Sequence, residues 1–154
     1  MILRKLLLPS YCKIIGYILT ITGIFFSYVR FGLGIKPTFL EVKVFAIYSS
    51  IFEARYFSLV YNNISEEICG VLLLSGLFLM TFSRERQEQN SLWRLRYRSM
   101  FLAVFINTLL LLFATLFFFG LGFLVIMTLH LFSLLLIYNI IFIIARTRSK
   151  RSIA

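Results

Sequence analysis

The stretch Ser99–Ala145, SMFLAVFINTLLLLFATLFFFGLGFLVIMTLHLFSLLLIYNIIFIIA, contains nothing ionisable at neutral pH apart from the single histidine, His130. A run of this length and apolarity cannot stay dissolved in water. A bilayer core about 30 Å thick takes ~20 helical residues per crossing, so the run reads as two crossings joined by a minimal turn. Gly120 and Gly122 stand near its midpoint, where the chain must reverse. The sequence therefore describes an integral membrane protein.

Working outward, two further apolar segments precede this pair, which predicts an all-α membrane protein with transmembrane helices over about 11–29, 65–84, 97–119 and 123–145. Composition agrees: 60% of residues are hydrophobic and 18% aromatic, while only 14% are charged, against about a quarter charged in soluble domains. At 154 residues the chain has room for one bundle, 1–154, without a separate soluble domain.

The net charge of +10 would suggest nucleic acid in a soluble protein, but its distribution gives another answer. The N-terminal segment, the 83–98 connection and the C-terminal tail hold twelve Lys and Arg against two Glu. The 30–67 connection is balanced: Arg30, Lys36, Lys43 and Arg55 against Glu41, Glu53, Glu66 and Glu67. The positive-inside rule then expects both termini and the 83–98 loop in the cytoplasm and the connection outside. Four crossings return the chain to its starting side, so segment count and charge agree. The partner expected from this pattern is the anionic face of the lipid bilayer, and no nucleic acid.

No small-x-small cleavage site follows the first apolar run, so it reads as a retained helix. Cys12 and Cys69 fall at opposite ends of their helices, too far apart for a disulfide, and read as packing residues. On helix 1, Gly16, Thr20, Gly23 and Ser27 are spaced four, three and four apart and share one face, a small-residue stripe that lets two helices approach closely. Cys69 and Gly76 form a shorter version on helix 2. Asn63 followed by Glu66 resembles a capping box, and helix 2 is expected to run beyond Gln87. Trp93 and Tyr97 anchor the start of helix 3, expected near Asn90.

In the outer connection 30–64, Leu40–Tyr48 alternates apolar and polar residues and Tyr56–Tyr61 is aromatic and β-branched. The pair reads as an extracytoplasmic β-hairpin, with a surface-lying amphipathic helix as the alternative.

Few polar groups lie inside the spans. With Arg98 and Arg146 taken as one level, a 1.5 Å rise per residue puts Asn107 about 13 Å deep and Asn139 about 10 Å. On the same scale His130 and Thr115 lie about 24 and 25 Å from that level. Asn107 with Asn139, and Thr115 with His130, are therefore the expected interhelical hydrogen-bonded pairs. A lone histidine without a second His, Asp or Glu at its depth makes no metal site. The chain contains no aspartate, and no acidic residue lies inside any apolar segment. That removes carboxylate-driven small exporters and aspartate-clustered lipid transferases. No Walker loop, dinucleotide fingerprint or nucleophile elbow is present. Catalytic, cofactor and metal residues are thus expected to be none.

The stretch Asn62-Asn63-Ile64-Ser65-Glu66-Glu67-Ile68-Cys69-Gly70, an apolar helix, and then Ser83-Arg84-Glu85-Arg86-Gln87-Glu88 resembles a group of small uncharacterised four-helix membrane proteins of Bacteroidota bacteria. The resemblance implies a bacterial inner-membrane location and no activity. The expected function is a non-enzymatic accessory or interaction subunit, alone as an oligomer or with another membrane protein. The alternatives are a small transporter or pore component and, behind it, a holin-like lesion former.

Overall fold

The computed structural model describes residues 7–49, 55–85 and 90–151. Four helices dominate it: α1 Tyr11–Ser27, α2 Ser65–Phe82, α3 Asn90–Phe117 and α4 Leu121–Arg151. All four are long and apolar enough to cross a membrane. α1 continues through a π-helical turn, Tyr28–Gly32, closed by Leu33 N–H donating to Tyr28 O at 3.1 Å. The helix is thereby lengthened past the expected end at residue 29. α3 starts at Asn90, and α4 runs six residues past the expected 145 because its backbone bonds need no apolar side chains. Gly120 takes a left-handed φ of 63° between α3 and α4, a conformation that glycine adopts without strain.

α2 is shorter than expected. The helix stops at Phe82, and Ser83 turns extended with φ −82° and ψ 146°. The cause is a competing partner: Leu8 N–H takes the Phe82 carbonyl at 2.9 Å, and Arg84 N–H donates to Leu8 O at 2.8 Å. The N-terminal segment thus uses the groups that one more helical turn would have used. The expected continuation through 86–89 lies outside the described residues. At 18 residues α2 spans roughly 27 Å, slightly less than a hydrocarbon core.

The capping box does not form as expected. The residue flanking the helix is Ile64, so Asn63 is one position too early; its Oδ1 accepts from Ser65 N at 3.2 Å instead. Glu66 does not fold back but pairs with Arg30 at the end of α1. Arg30 Nε also donates to Ser65 Oγ at 3.0 Å. This ties the last turn of α1 to the first turn of α2.

Between those helices, β1 Glu41–Ser49 and β2 Arg55–Asn63 pair antiparallel, from Glu41 opposite Asn63 to Ser49 opposite Arg55. The connection is therefore a β-hairpin and not a surface helix. An isolated hairpin is marginal in water. This one is fastened at its base by Ile64 N–H to Leu40 O at 3.1 Å and by Asn63 Nδ2 to Pro37 O at 2.9 Å.

The helices pack as two hairpins, α1 on α2 and α3 on α4, joined through α2 and α4. The α1–α2 seam is made by the small-residue stripe. A Cβ on Gly16 would lie 2.8 Å from Met80 N and 2.9 Å from Gly76 O; one on Gly23 would lie 3.0 Å from Leu73 N. Gly16 and Gly23 are buried, while Thr20 and Ser27 are half-buried beside them. Cys69 is 3% exposed and, like Cys12, remains a free thiol. The second seam centres on Ala103, Tyr138 and Phe142, with Leu95, Met100, Leu134, Ile137 and Ile141 around them.

Candidate functional site

The largest concentration of buried polar groups lies at the end of the bundle where α2 exits and α4 finishes. The last carbonyls of a helix have no partner within it and carry the negative end of its dipole. Here they are met from α3: Arg96, 7% exposed, donates through Nη1 to Thr81 O at 3.1 Å and through Nη2 to Ser83 O at 2.7 Å. Its guanidinium also lies 4.9 Å from the centre of the Phe142 ring on α4, a favourable cation–π distance. Asn139 of α4 donates through Nδ2 to Thr81 Oγ1 at 2.9 Å, and Thr81 in turn donates to Leu77 O at 2.8 Å.

Two residues further along, Glu85 is 7% exposed. One carboxylate oxygen takes Lys13 from the first turn of α1, and the other takes Arg146 Nη1 of α4 at 2.7 Å. Every helix thus sends a charged or amide side chain to the exit of α2. A carboxylate held by two cations is an acceptor already in use, not a poised general base. The junction is built as a clamp.

A second polar group sits between α3 and α4. Asn107 Nδ2 is 3.0 Å from His130 Nε2, Ser133 Oγ is 3.2 Å from His130 Nδ1, and Ser133 Oγ is 2.5 Å from Asn107 Oδ1. One assignment of protons satisfies all three contacts. Asn107 donates to Nε2, the neutral imidazole donates from Nδ1–H to Ser133, and Ser133 donates to Asn107 Oδ1. The ring closes on itself with its polar groups paired across the seam.

These contacts correct the pairing expected from depth. Asn107 meets His130 and Ser133 rather than Asn139, and Asn139 reaches α2 instead of α3. Thr115 is exposed and donates to Leu111 O in its own helix at 2.8 Å, not to His130. The depth count assumed that Arg98 and Arg146 share a level. The short turn at 118–120 sets the level instead, and places residue 131 opposite Asn107. Ser133, which the depth count does not pair, completes the group. Glu85, Arg96, Thr81 and Lys13 carry no site signal in the sequence, since only the packing of α1, the end of α2 and α3 brings them together.

The ring yields a direct expectation. His130→Gln keeps a donor and an acceptor and should leave the melting temperature in detergent within a degree or two of the parent. His130→Leu strands the Asn107 amide and should cost about 1 kcal/mol, one interhelical hydrogen bond. Loss of assembly in His130→Gln, or loss of a pH-dependent activity in a variant that stays folded, would show that titration of the imidazole matters.

Among the described residues no group of three His, Cys, Asp or Glu is placed to hold a metal ion. No protein-family model matches the chain, and neither a curated protein nor a solved structure does.

Proposed function

We propose that the chain is a non-enzymatic multi-pass protein of the bacterial inner membrane that serves as an interaction subunit, with its β-hairpin outside the cytoplasm as the contact surface. One observation carries this reading: an apolar hairpin face that stays exposed among the described residues. Cross-strand partners share a face, so Lys43, Phe45, Leu59 and Tyr61 stand together. Phe45 is 64% exposed, Leu59 68% and Tyr61 69%. Large uncovered apolar patches mark contact surfaces. Each strand of a two-stranded sheet also keeps one open edge, to which an extended segment of a partner can add. The distribution of Lys and Arg supports cytoplasmic termini.

Purification in mild detergent with mass spectrometry of associated proteins tests this reading. A stable partner that is lost in Phe45→Ser/Leu59→Ser, with the bundle still folded, is the expected outcome. A small transporter is the second reading, and the Asn107–His130–Ser133 ring favours it because polar groups inside a span are where transported species bind. A lone oligomer that conducts ions in liposomes would move it to first place.

Orientation is checked separately. Reporters fused at Ala154 and within 83–98 should behave as cytoplasmic, and one at Ser50 as exported. An exported reporter at Ala154 would overturn the arrangement of four crossings.

A further inference from the structure

Among the described residues, the clamp around Glu85 sets two cations on one carboxylate. Lys13 and Arg146 share this one carboxylate, and among the described residues neither reaches a second. Arg146 is committed through Nη1, while its Nε, although buried, has no hydrogen-bond partner. Its side chain stays 28% exposed and that of Lys13 15%, so the pair is open on one side.

Position along the helices gives the level of this opening. Lys13 lies two residues inside the first candidate span, which begins at Tyr11. Arg146 is the first charge after the long apolar run of α3 and α4. Both therefore stand where a span meets the headgroup layer. Beside them α1 packs on α2, and α4 packs on α3 and α2. α1 leaves Ile14 and Ile18 exposed on the same helix as Lys13.

A half-buried pair of cations with one anion is stabilised by a further acceptor. The guanidinium fork suits the oxygens of a phosphate. We propose that Lys13 and Arg146 bind the phosphate of one anionic phospholipid, whose acyl chains lie along the apolar residues that α1 exposes, Ile14 and Ile18 among them. The phosphodiester charge brings the Lys13–Glu85–Arg146 group to neutrality. The apolar surface beside the cations favours a lipid over free phosphate, because a free anion has nothing to place on it. This inference needs membrane insertion only and is independent of what the hairpin contacts.

Full-length protein, delipidated in a neutral detergent, is titrated with phosphatidylglycerol, with phosphatidylcholine of the same acyl chains, and with inorganic phosphate. Melting temperature and native mass spectrometry are read together. One phosphatidylglycerol should be retained per chain, about tenfold more tightly than phosphatidylcholine, with no shift from inorganic phosphate. Arg146→Lys keeps the ion pair with Glu85 but removes the fork, and should weaken that retention about tenfold. Arg148→Gln, at an exposed position, should leave it unchanged. Equal retention of the two lipids would overturn the site whether or not the variants fold. So would an equal shift from phosphate alone, unchanged retention in Arg146→Lys, or an equal loss in Arg148→Gln.

Discussion

Glu85→Ala is expected to destabilise the folded bundle by about 3 kcal/mol, the lower end of the range for breaking a buried ion pair. The lower end applies because Arg146 keeps 28% of its side-chain surface and so retains some hydration. The cost arises less from losing the carboxylate than from leaving Lys13 and Arg146 facing each other without it. Replacing all three by apolar residues of similar size, Lys13→Met with Glu85→Leu and Arg146→Met, should recover much of the loss, since the two cations then no longer face each other. A double-mutant cycle on thermal or denaturant unfolding in detergent measures this. An unchanged melting temperature in Glu85→Ala would show that the clamp contributes nothing to stability.

Gly76→Ala is the second large effect. The added methyl would lie 2.5 Å from Thr20 Oγ1 and 2.6 Å from Thr20 N. The hydroxyl can rotate away, but the backbone nitrogen cannot, so α1 and α2 must separate. Overpacking of this kind costs about 1–3 kcal/mol, and backbone contact puts this site near the top of that range. Gly70→Ala is the control in the same helix, since a methyl there meets nothing within 4 Å. On the facing helix, Gly23→Leu should lower the melting temperature more than Leu19→Ala. Equal shifts in these two would mean that the stripe does not form the seam.

The helices and the hairpin were legible in the sequence because each is a local signal. An apolar run of crossing length, a glycine pair at its midpoint, and two alternating segments separated by polar residues need no knowledge of distant partners. The α1–α2 seam was legible too, since Gly16, Thr20, Gly23 and Ser27 have the spacing of one helix face. Depth pairing failed on one assumption. Counted from the turn at Gly120, Arg146 stands roughly 6 Å further from the turn than Arg98 at 1.5 Å per residue. That offset is what lets Arg146 reach Glu85, and the same count would have matched Asn107 to the His130–Ser133 turn. The junction was not legible by any such count. Glu85 reads as one acid among basic neighbours until α2 ends at Phe82 and the chain turns inward. That ending is set by Leu8, a residue with no sequence signature of its own.

The hydrogen bonds of Leu8 with Phe82 and Arg84 also impose an order of assembly. Leu8 leaves the ribosome more than seventy residues ahead of its partners. Arg146, which completes the grip on Glu85, is made later still. The exit of α2 therefore cannot reach its final form until α4 has been synthesised. A chain interrupted before α4 keeps Lys13 on Glu85 but leaves Thr81 without Asn139 and the second carboxylate oxygen without Arg146. Such a product holds at most three of the four apolar segments around an incomplete polar junction, the kind of exposed mismatch that membrane proteases remove. The junction thus works as a seal, closed only when α4 arrives.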